Sequence, residues 1–459
     1  MKKTLRGKLA VAIATAGILS TMAVTVAGAS ATLNGDLTFS SSDGAASLAP
    51  ATGGSSFDEP FFNSAIPTYM SYAASKSGSN APSSIPLYSP VGSTSGKKGV
   101  VASTYAIGAS DVPMGTVVNG SNLDSSILTN ADPAHTLNSY VQIPVVLGGV
   151  GMMYNLPSLQ KHFKKYPVIL NSAALASIYD GKITNWNNPA LCRLNPKIVN
   201  IKTKTVKVKI TKNGKTTYKK VTKTVSKKCA MPNLAIVPVF RADGSGTSFI
   251  FADYLHQTQG AAYETSGGTQ VYPSTTFNQG QLPSNALGAQ KNAGVAADVQ
   301  QSAGAIGYVE YSYILLQHTL PAARIVNAAH QVMTLNPTSI AADAASFAST
   351  PPSEGGNGVV SNYSIVNGTQ SGDYPIAGYS WAIVRQDWNG LGTVGGATAS
   401  LNAEKLIAKF LDWAVQGGNK GGQQVAQQQG YVPLPAYVTA LAEKQVGLMT
   451  YNGASLGLS

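Results

Sequence analysis

The chain has little charge and few of the residues that enzymes use for catalysis or metal binding. Charged residues occupy 11% of its 459 positions, and its five histidines are scattered, with no spacing typical of metal ligands. The sequence has no His-Glu-x-x-His segment and no evident nucleophile–base pair. We therefore expect no catalytic residue, no metal and no cofactor.

Acidic residues are absent from residues 1–29, which have the pattern of a secretory signal peptide. Four basic residues precede an apolar stretch over residues 9–29, and small residues favour cleavage after Ala29, with Ala31 as the second choice. An uncleaved membrane anchor is the alternative, because the stretch is near the ~20 residues that span a bilayer. No later stretch is apolar enough to span. We expect an exported protein, periplasmic or at the cell surface.

Cysteine is almost absent, and the two cysteines are Cys192 and Cys229. Neither lies near the cleavage site, which excludes a lipid anchor on an N-terminal cysteine. An isolated pair in an exported protein usually forms a disulfide, so we expect one here, with two free thiols as the alternative. By loop entropy, this closure would stabilise the fold by roughly 3–4 kcal/mol.

The formal charge of +12 is concentrated in one segment that contains no acidic residue. Residues 193–228 hold one arginine and 12 lysines, and the leader holds four more of the 32 basic residues. The rest of the chain therefore has 15 basic and 20 acidic residues. Apolar residues alternate with lysines before Asn213-Gly214, a strong hairpin turn. We predict a lysine-rich β-hairpin inserted at residues 193–233, with Lys207, Lys209 and Lys220 on one face.

Two interpretations of this hairpin stay open. Its lysines either form a solvated ribbon that prevents edge pairing, or contact a polyanion such as a wall polymer, lipid headgroups or a partner. Nucleic acid is not expected as a partner, because the protein is exported and Tyr218 is the only aromatic residue there for stacking.

Strand and helix patterns alternate along the rest of the chain, which predicts an α/β fold. Short apolar runs indicate strands at residues 85–88, 105–109, 143–154, 234–240, 305–308 and 377–384. Helical spacing indicates helices at residues 57–72, 172–179, 248–256 and 404–415, and residues 92–96 are predicted to form a loop. The length suits two domains of ordinary size.

The segment from Arg241 to Thr247 joins a predicted strand to a predicted helix and could bind an oxyanion. A helix start offers free N–H groups and partial positive charge, and Gly246 lets the backbone approach an anion closely. Ser245 and Thr247 add hydroxyls, Arg241 adds a charged fork, and Asp243 is close enough to hold that fork. A Gly-rich turn that only caps the helix is the alternative. The segment lacks the Gly-Lys-Ser/Thr ending of a nucleotide P-loop.

Several motifs within residues 50–440 resemble, in the same order, those of PstS-type phosphate-binding proteins, the receptors of phosphate ABC transporters. The most specific is the segment from Phe240 to Phe249, which contains the oxyanion loop. The other matching segments are Gly108–Pro113, Gly148–Val150, Tyr154–Pro157, Ile178–Trp186, Gly304–Tyr311, Tyr374–Ile376 and Phe410–Ala414. Several ordered motifs are much harder to obtain by chance than one Gly-rich loop.

The resemblance implies a two-lobed periplasmic-binding-protein fold, with mixed sheets flanked by helices and a ligand cleft between the lobes. Residues 32–146 and 309–459 would form lobe 1, and residues 147–308 would form lobe 2. Carried over by motif, the phosphate-binding residues are Ser56, Phe57, Ser93, Asp111, Arg241, Ser245, Gly246 and Thr247, with Asp243 in support.

The sequence departs from the family pattern in three places. Ser56 stands where threonine is usual and keeps the hydroxyl, whereas residues 93–96 read Ser-Thr-Ser-Gly instead of Ser-Ser-Gly-Gly. We expect the change in the second segment to alter its backbone geometry. The lysine hairpin and its cysteines lie outside the common pattern.

Asp111 has a physical role in such a site. A carboxylate beside an anion is repulsive unless a proton lies between them. Phosphate at pH 7 still carries a proton to donate, whereas sulfate does not and would leave two anionic acceptors facing each other. An unpaired buried acceptor costs ~1–3 kcal/mol, so Asp111 would reject sulfate.

These features favour a non-enzymatic, monomeric receptor that delivers inorganic phosphate to an ABC-transporter permease. A surface or adhesive protein that reuses the fold and binds polyanions through the hairpin is the first alternative. A phosphate-ester hydrolase is the second.

Overall fold

The structure of the protein is a computed structural model that describes residues 50–77, 84–118, 121–131, 136–159, 167–213, 215–260, 282–317, 320–356, 358–418 and 421–458. The predicted signal peptide lies outside the described residues, as does Gly214 of the predicted hairpin turn. Within the described residues, no helix combines the length and the apolar character needed to cross a membrane.

Helices and strands alternate as the sequence predicts. The helices are α1 (Glu59–Ser77), α2 (Ser93–Val101), α3 (Ser125–Ala131), α4 (Ser172–Tyr179), α5 (Pro189–Leu194), α6 (Gly246–Gln259), α7 (Lys291–Gln301), α8 (Tyr311–Gln317), α9 (Pro337–Ser346), α10 (Leu401–Val415), α11 (Gly422–Gln428) and α12 (Ala436–Val446). Short 3-10 helices occur at Leu137–Ser139 and Pro157–Leu159.

The strands are β1 (Thr52–Gly54), β2 (Ser89–Pro90), β3 (Ile107–Ser110), β4 (Val117–Val118), β5 (Ser121–Asn122), β6 (Tyr140–Tyr154), β7 (Ile169–Leu170), β8 (Val199–Lys212), β9 (Lys215–Cys229), β10 (Val237–Arg241), β11 (Leu287–Ala289), β12 (Ala305–Glu310), β13 (Arg324–Val326), β14 (Val332–Met333), β15 (Ser353–Glu354), β16 (Val360–Ser361), β17 (Ala377–Arg385), β18 (Thr393–Val394), β19 (Ala397–Thr398), β20 (Thr450–Tyr451) and β21 (Ala454–Ser455).

One long strand organises the main sheet, whose order is β11-β10-β12-β6-β17-β3-β1-β2. All 15 residues of β6 are buried. Residues 140–149 of β6 pair antiparallel with β17, and residues 150–154 pair antiparallel with β12. The sheet therefore has a first half (β2, β1, β3 and β17) and a second half (β12, β10 and β11), joined through β6.

The three outer strands of each half are parallel to one another. Strand β1 pairs parallel with both β2 and β3, and β10 pairs parallel with both β11 and β12. Because parallel strands end at the same edge, the loops that follow each set of three lie side by side. In open α/β sheets this edge is where ligands bind.

Aromatic packing fixes α1 against α10. Tyr69 contacts Phe410 and Trp413, with ring centroids 5.4 Å apart in both pairs. Phe62 stacks on Tyr88 at 4.8 Å, beside β2. Aromatic pairs at such separations add about 0.5–1.5 kcal/mol each beyond their burial. This packing holds the start of α1, which follows β1, in a fixed place.

Two local predictions are wrong. Residues 93–96, predicted as a loop, open α2, and the strand predicted at residues 85–88 occurs instead at Ser89–Pro90. A Cβ on Gly96 would lie 2.6 Å from the Cα of Gly54, and a Cβ on Gly99 would lie 2.1 Å from the Tyr105 ring. Helix α2 lies so close to the strands that glycine is required, and these glycines conceal the helical pattern.

Strands β8 and β9 form a separate antiparallel ribbon from Val199 to Cys229. Lys207 lies opposite Lys220, and Lys209 follows on the same face of β8. Cys192 of α5 forms a disulfide with Cys229 at the base of the ribbon, as the sequence predicts.

Candidate functional site

Hydroxyl, carboxyl and amide side chains follow the strand ends of both sheet halves. In the first half, Ser56 follows β1, Ser93 follows β2 and Asp111 follows β3. In the second half, the loop 242–245 follows β10, and Asn292 comes three residues after β11. Residues 242–244 are partly buried, and the others are buried. The two edges face each other, and the candidate site lies between them.

Direct hydrogen bonds join the two edges. The backbone N–H of Gly246 donates to Oγ of Ser93 at 3.0 Å. Oγ of Ser56 accepts from the backbone N–H of Asn292 at 3.0 Å and from its Nδ2 at 3.2 Å. Oγ1 of Thr247 lies 3.5 Å from Oδ2 of Asp111, to which it donates. Of these bonds across the two edges, the one between Ser56 and Asn292 joins residues 236 positions apart.

Four helices begin at this junction. Helices α1 and α2 start from the first half of the sheet, and α6 and α7 start from the second. Each helix start carries partial positive charge and N–H groups without partners inside the helix. Four such ends around one site favour an anionic ligand, and a single cation would be repelled.

An ion pair between the buried Arg241 and the partly buried Asp243 stands at the second edge. Asp243 accepts from Nε of Arg241 at 2.6 Å and from Nη2 at 2.5 Å, while Nη1 donates to Thr247 at 3.4 Å. Burial opposes ionisation of Asp243, but the hydrogen bonds and charge of Arg241 outweigh it and hold the pKa of Asp243 below its ordinary value. The planar guanidinium is therefore held in one orientation, with Nη1 turned toward the site.

Asp111 is the carboxyl group at the centre of the first edge. Its Oδ2 accepts from Oγ of Ser55 at 2.9 Å, and its Oδ1 accepts from Oγ of Ser380 at 2.7 Å. Burial raises the pKa of Asp111 to about 6, against the hydrogen bonds of these serines and the charge of Arg241. The group is therefore mainly ionised at pH 7. A Cβ on Gly246 would lie 2.5 Å from the Cβ of Asp111, so only glycine fits beside it.

Two predicted residues have local partners. Oγ of Ser245 accepts from the backbone N–H of Ser248 at 3.1 Å and so caps α6, which leaves its hydroxyl proton available to a ligand. The backbone N–H of Phe57 donates to Oγ of Ser55 at 3.0 Å.

The sequence interpretation missed three residues at the site: Ser55, Asn292 and Ser380. Ser55, next to the predicted Ser56, is the serine that donates to Asp111. Asn292 contacts Ser56 and lies 3.3 Å from Oγ1 of Thr247. Only strand pairing could have revealed Asn292 and Ser380, because their segments carry no local signal of a site.

Comparison with known proteins identifies a family and a fold. A family model described as a PBP superfamily domain matches residues 41–417. The phosphate-binding protein PstS of Haemophilus influenzae is 29% identical over 358 residues, which cover 78% of this chain and 83% of that protein. The PstS protein of Xylella fastidiosa is 29% identical over 349 residues, covering 76% of this chain and 73% of that protein. The resemblance to PstS-type proteins that the motifs indicated is confirmed.

Solved structures support the same fold. A high-affinity periplasmic phosphate-binding protein, solved with bound phosphate at pH 8.5, superposes with a TM-score of 0.57 at 18% identity, covering 89% of this chain and 99% of that one. A phosphate-binding protein from Stenotrophomonas maltophilia gives 0.54 at 19% identity, with 86% and 93% covered. At these identities the likeness establishes the fold, and the predicted mixed α/β periplasmic-binding-protein architecture is confirmed.

Proposed function

The chain belongs to the PBP superfamily, and on this basis we propose that it is an extracytoplasmic receptor that binds inorganic phosphate and delivers it to an ABC-transporter permease. The observation that carries the proposal is the convergence of four helix starts and the buried guanidinium of Arg241 on the carboxyl group of Asp111. The positive ends of the helices bind the anion, and the carboxylate of Asp111 selects an anion that still carries a proton. Relatives named phosphate-binding protein PstS support this assignment.

The ligand contacts divide between the two edges. From the first edge, hydroxyls donate to phosphate, and Asp111 accepts its proton. The backbone N–H of Phe57 also donates to phosphate and would exchange its present partner, Oγ of Ser55, for the ligand. From the second edge, Arg241 supplies charge, and the start of α6 supplies N–H and hydroxyl donors. The hydrogen bonds that now join Ser93 to Gly246 and Ser56 to Asn292 use the same groups, which supports a ligand bound between the edges. The contact residues of this proposal are Ser56, Phe57, Ser93, Asp111, Arg241, Ser245, Gly246 and Thr247.

We propose two lobes that close on the ligand, with residues 32–146 and 309–459 in lobe 1 and residues 147–308 in lobe 2. Strand β6 changes its partner from β17 to β12 after residue 149, which supports a first crossing of the chain from lobe 1 to lobe 2. The chain returns to lobe 1 at the end of β12, which is Glu310, and this is the second crossing. Two crossing strands allow the lobes to move relative to each other without unfolding.

Calorimetric titration of the chain without residues 1–31 tests the receptor. We expect phosphate to bind at micromolar concentration or below and sulfate to bind far more weakly. The absence of phosphate binding at micromolar concentration would overturn the proposal. Arg193→Lys, an exposed basic residue outside the site, is a control that should bind as the unaltered protein does.

The proposed role is non-enzymatic and monomeric. One segment does have the spacing of a hydrolase motif, because Gly453–Gly457 reads Gly-Ala-Ser-Leu-Gly. That motif serves catalysis at a strand-to-helix turn, whereas Ser455 is exposed in the two-stranded β20–β21 hairpin. A chromogenic phosphate ester provides the assay, and metal-dependent turnover would count against a receptor.

The lysine ribbon supports a second proposal, in which an anionic envelope polymer binds β8 and β9. Lysines face each other directly at Lys207 and Lys220, at Lys204 and Lys223, and at Lys212 and Lys215. Like charges in opposite positions destabilise a ribbon, and residues 193–228 contain no acid to neutralise them. A bound polyanion relieves this repulsion.

A wall polymer fits the ribbon better than a lipid surface. Among the ribbon side chains whose exposure is described, Ile210 and Tyr218 are the large exposed apolar ones. They belong to opposite faces, because Ile210 pairs with Thr217 while Tyr218 pairs with Lys209. A lipid-inserting ribbon needs such residues on one face. The proposed contact would retain the receptor at the cell surface.

Deletion of residues 197–228 tests the ribbon. Binding to a glycerol-phosphate polymer in a sedimentation assay should be lost, while phosphate binding should remain. Vesicles with anionic headgroups serve as the comparison. Equal polymer binding by the deletion variant, or binding to vesicles but not to the polymer, would refute the wall-polymer proposal.

A further inference from the structure

Ser380 of β17 lies between two buried carboxyl groups. Its Oγ is 2.7 Å from Oδ1 of Asp111 and 2.8 Å from Oδ2 of Asp58. Ser380 and Asp58 are fully buried, and Asp111 is 3% exposed. A hydroxyl has one proton, so it can donate to only one of these two oxygens.

The second short contact therefore requires another proton. If both carboxyl groups were ionised, one carboxylate oxygen would face the lone pairs of Oγ with no hydrogen between them. Two like charges would also share one buried hydroxyl, at a cost that burial increases. One of the two carboxyl groups is therefore protonated and donates to Ser380, which donates in turn to the other.

The surroundings identify Asp58 as the protonated member. Asp111 also accepts from Ser55 and Thr247 and lies near the charge of Arg241, all of which stabilise its ionised form. Asp58 has no comparable donors: among the described residues its Oδ1 has no hydrogen-bond partner. Burial and the negative charge of Asp111 raise the pKa of Asp58 well above its ordinary value.

Other titratable groups near the pair do not change this assignment. Glu310 adds negative potential at Asp58 when it ionises, but burial raises its own pKa to about 8. Lys97 interacts with Asp111, and it is held by Asp124 at 2.8 Å. The remaining titratable groups near the pair are Glu59 and three buried tyrosines, Tyr88, Tyr313 and Tyr431. Burial raises the pKa values of these tyrosines.

We propose that Asp58 is a positioning residue that keeps its proton and, through Ser380, holds Asp111 as an ionised hydrogen-bond acceptor for the proton of the bound phosphate. The protonated carboxyl group of Asp58 donates a hydrogen bond to Oγ of Ser380, and the hydroxyl of Ser380 donates to Oδ1 of Asp111. No proton needs to leave the site. The role toward phosphate rests on the proposed function, whereas the protonation of Asp58 does not.

Infrared difference spectroscopy of the ligand-free protein at pH 7.5 tests the protonation. Compared with the unaltered protein, Asp58→Asn should lack one protonated carboxylic acid band. It should keep all carboxylate bands. Asp111→Asn is the matched control and should remove carboxylate bands. Loss of carboxylate bands in Asp58→Asn would overturn the inference.

Phosphate titration tests the positioning role. Asp58→Leu keeps the number and branching of the heavy side-chain atoms without a donor, and we expect it to raise the Kd for phosphate at least tenfold. Asp58→Asn can donate through its amide and should restore the Kd to within threefold of the unaltered protein. Equal binding by both variants, strong or weak, would refute the role. If the unaltered protein fails to bind phosphate, the receptor proposal fails, and the infrared result still decides the protonation.

Discussion

Oγ of Ser93 accepts a hydrogen bond of 3.0 Å from the backbone N–H of Gly246, although 153 positions separate the two residues. The bond joins the start of α2 to the start of α6, and therefore the two halves of the sheet. Gly92, just before Ser93, approaches the same loop, because a Cβ there would lie 2.8 Å from Oδ2 of Asp243. The closed arrangement of the two edges depends on close backbone contact at these glycines.

Gly246→Ala should weaken phosphate binding by keeping the edges apart. The added Cβ would lie 2.5 Å from the Cβ of Asp111, so a shift is unavoidable. Overpacking of this kind costs about 1–3 kcal/mol, which corresponds to roughly a fivefold to 150-fold loss of affinity. Calorimetry provides the measurement. Gly294→Ala in α7 is the matched control, because its Cβ would meet Ala289 at an ordinary 3.5 Å and should leave affinity unchanged.

Arg241→Lys should weaken phosphate binding roughly tenfold to a hundredfold. Lysine keeps the charge but loses the planar fork that Asp243 holds at two points. The hydrogen bonds that the fork makes to the anion are lost, and a hydrogen bond to a charged group contributes about 1.5–3 kcal/mol. The Kd for phosphate measures the effect. An unchanged Kd would place the anion elsewhere.

Selectivity against sulfate should fall as the pH falls below 6. Burial raises the pKa of Asp111 to about 6, so at pH 7 the ionised group repels an anion without a proton, whereas at pH 5 the protonated group can donate to sulfate. The ratio of sulfate Kd to phosphate Kd should shrink by at most roughly tenfold per pH unit in this range.

Asp111→Asn should show low selectivity at both pH values, because an amide is neutral throughout. Asp298→Asn, outside the site in α7, should keep the pH dependence of the unaltered protein. Selectivity that stays constant in the unaltered protein between pH 7 and pH 5 would contradict the assigned role of Asp111.

Removal of the disulfide should lower thermal stability without affecting the site. The double variant Cys192→Ser, Cys229→Ser opens a closure that spans 37 positions. By loop entropy, this closure contributes about 4 kcal/mol at most to the free energy of unfolding. Thermal unfolding should begin at lower temperature, and phosphate affinity should stay within twofold. A large loss of affinity would mean that the ribbon base supports the site, which no contact of the described residues indicates.

The sequence predicts the features whose signals are local. Helix α4 occurs at Ser172–Tyr179 as predicted, since Asn171 caps it with a bond of 2.9 Å to the N–H of Ala174 and its apolar spacing is regular. The loop 241–247 is likewise a contiguous strand–turn–helix unit. Helix α2 is missed because its glycines, required by close packing, resemble a loop.

Residues placed by long-range pairing could not be predicted. Asn292 reaches the site because β11 lies beside β10, and Ser380 reaches it because β17 lies between β3 and β6. Strand order depends on contacts between segments that are distant in the chain, and one sequence gives no measure of them. Ser55 shows a finer limit, because adjacent serines are distinguished only by the direction of each side chain after β1.

The position of β17 also sets when the molecule can fold. Residues 377–385 provide the strand between β3 and β6, so the first half of the sheet stays divided until most of the chain has been synthesised. Pairings over such separations form late and slowly. A nascent chain that lacks this strand has neither a complete sheet nor Ser380 beside Asp111. Assembly of the first half of the sheet, and with it of the candidate site, would therefore wait until residues 377–385 had been made.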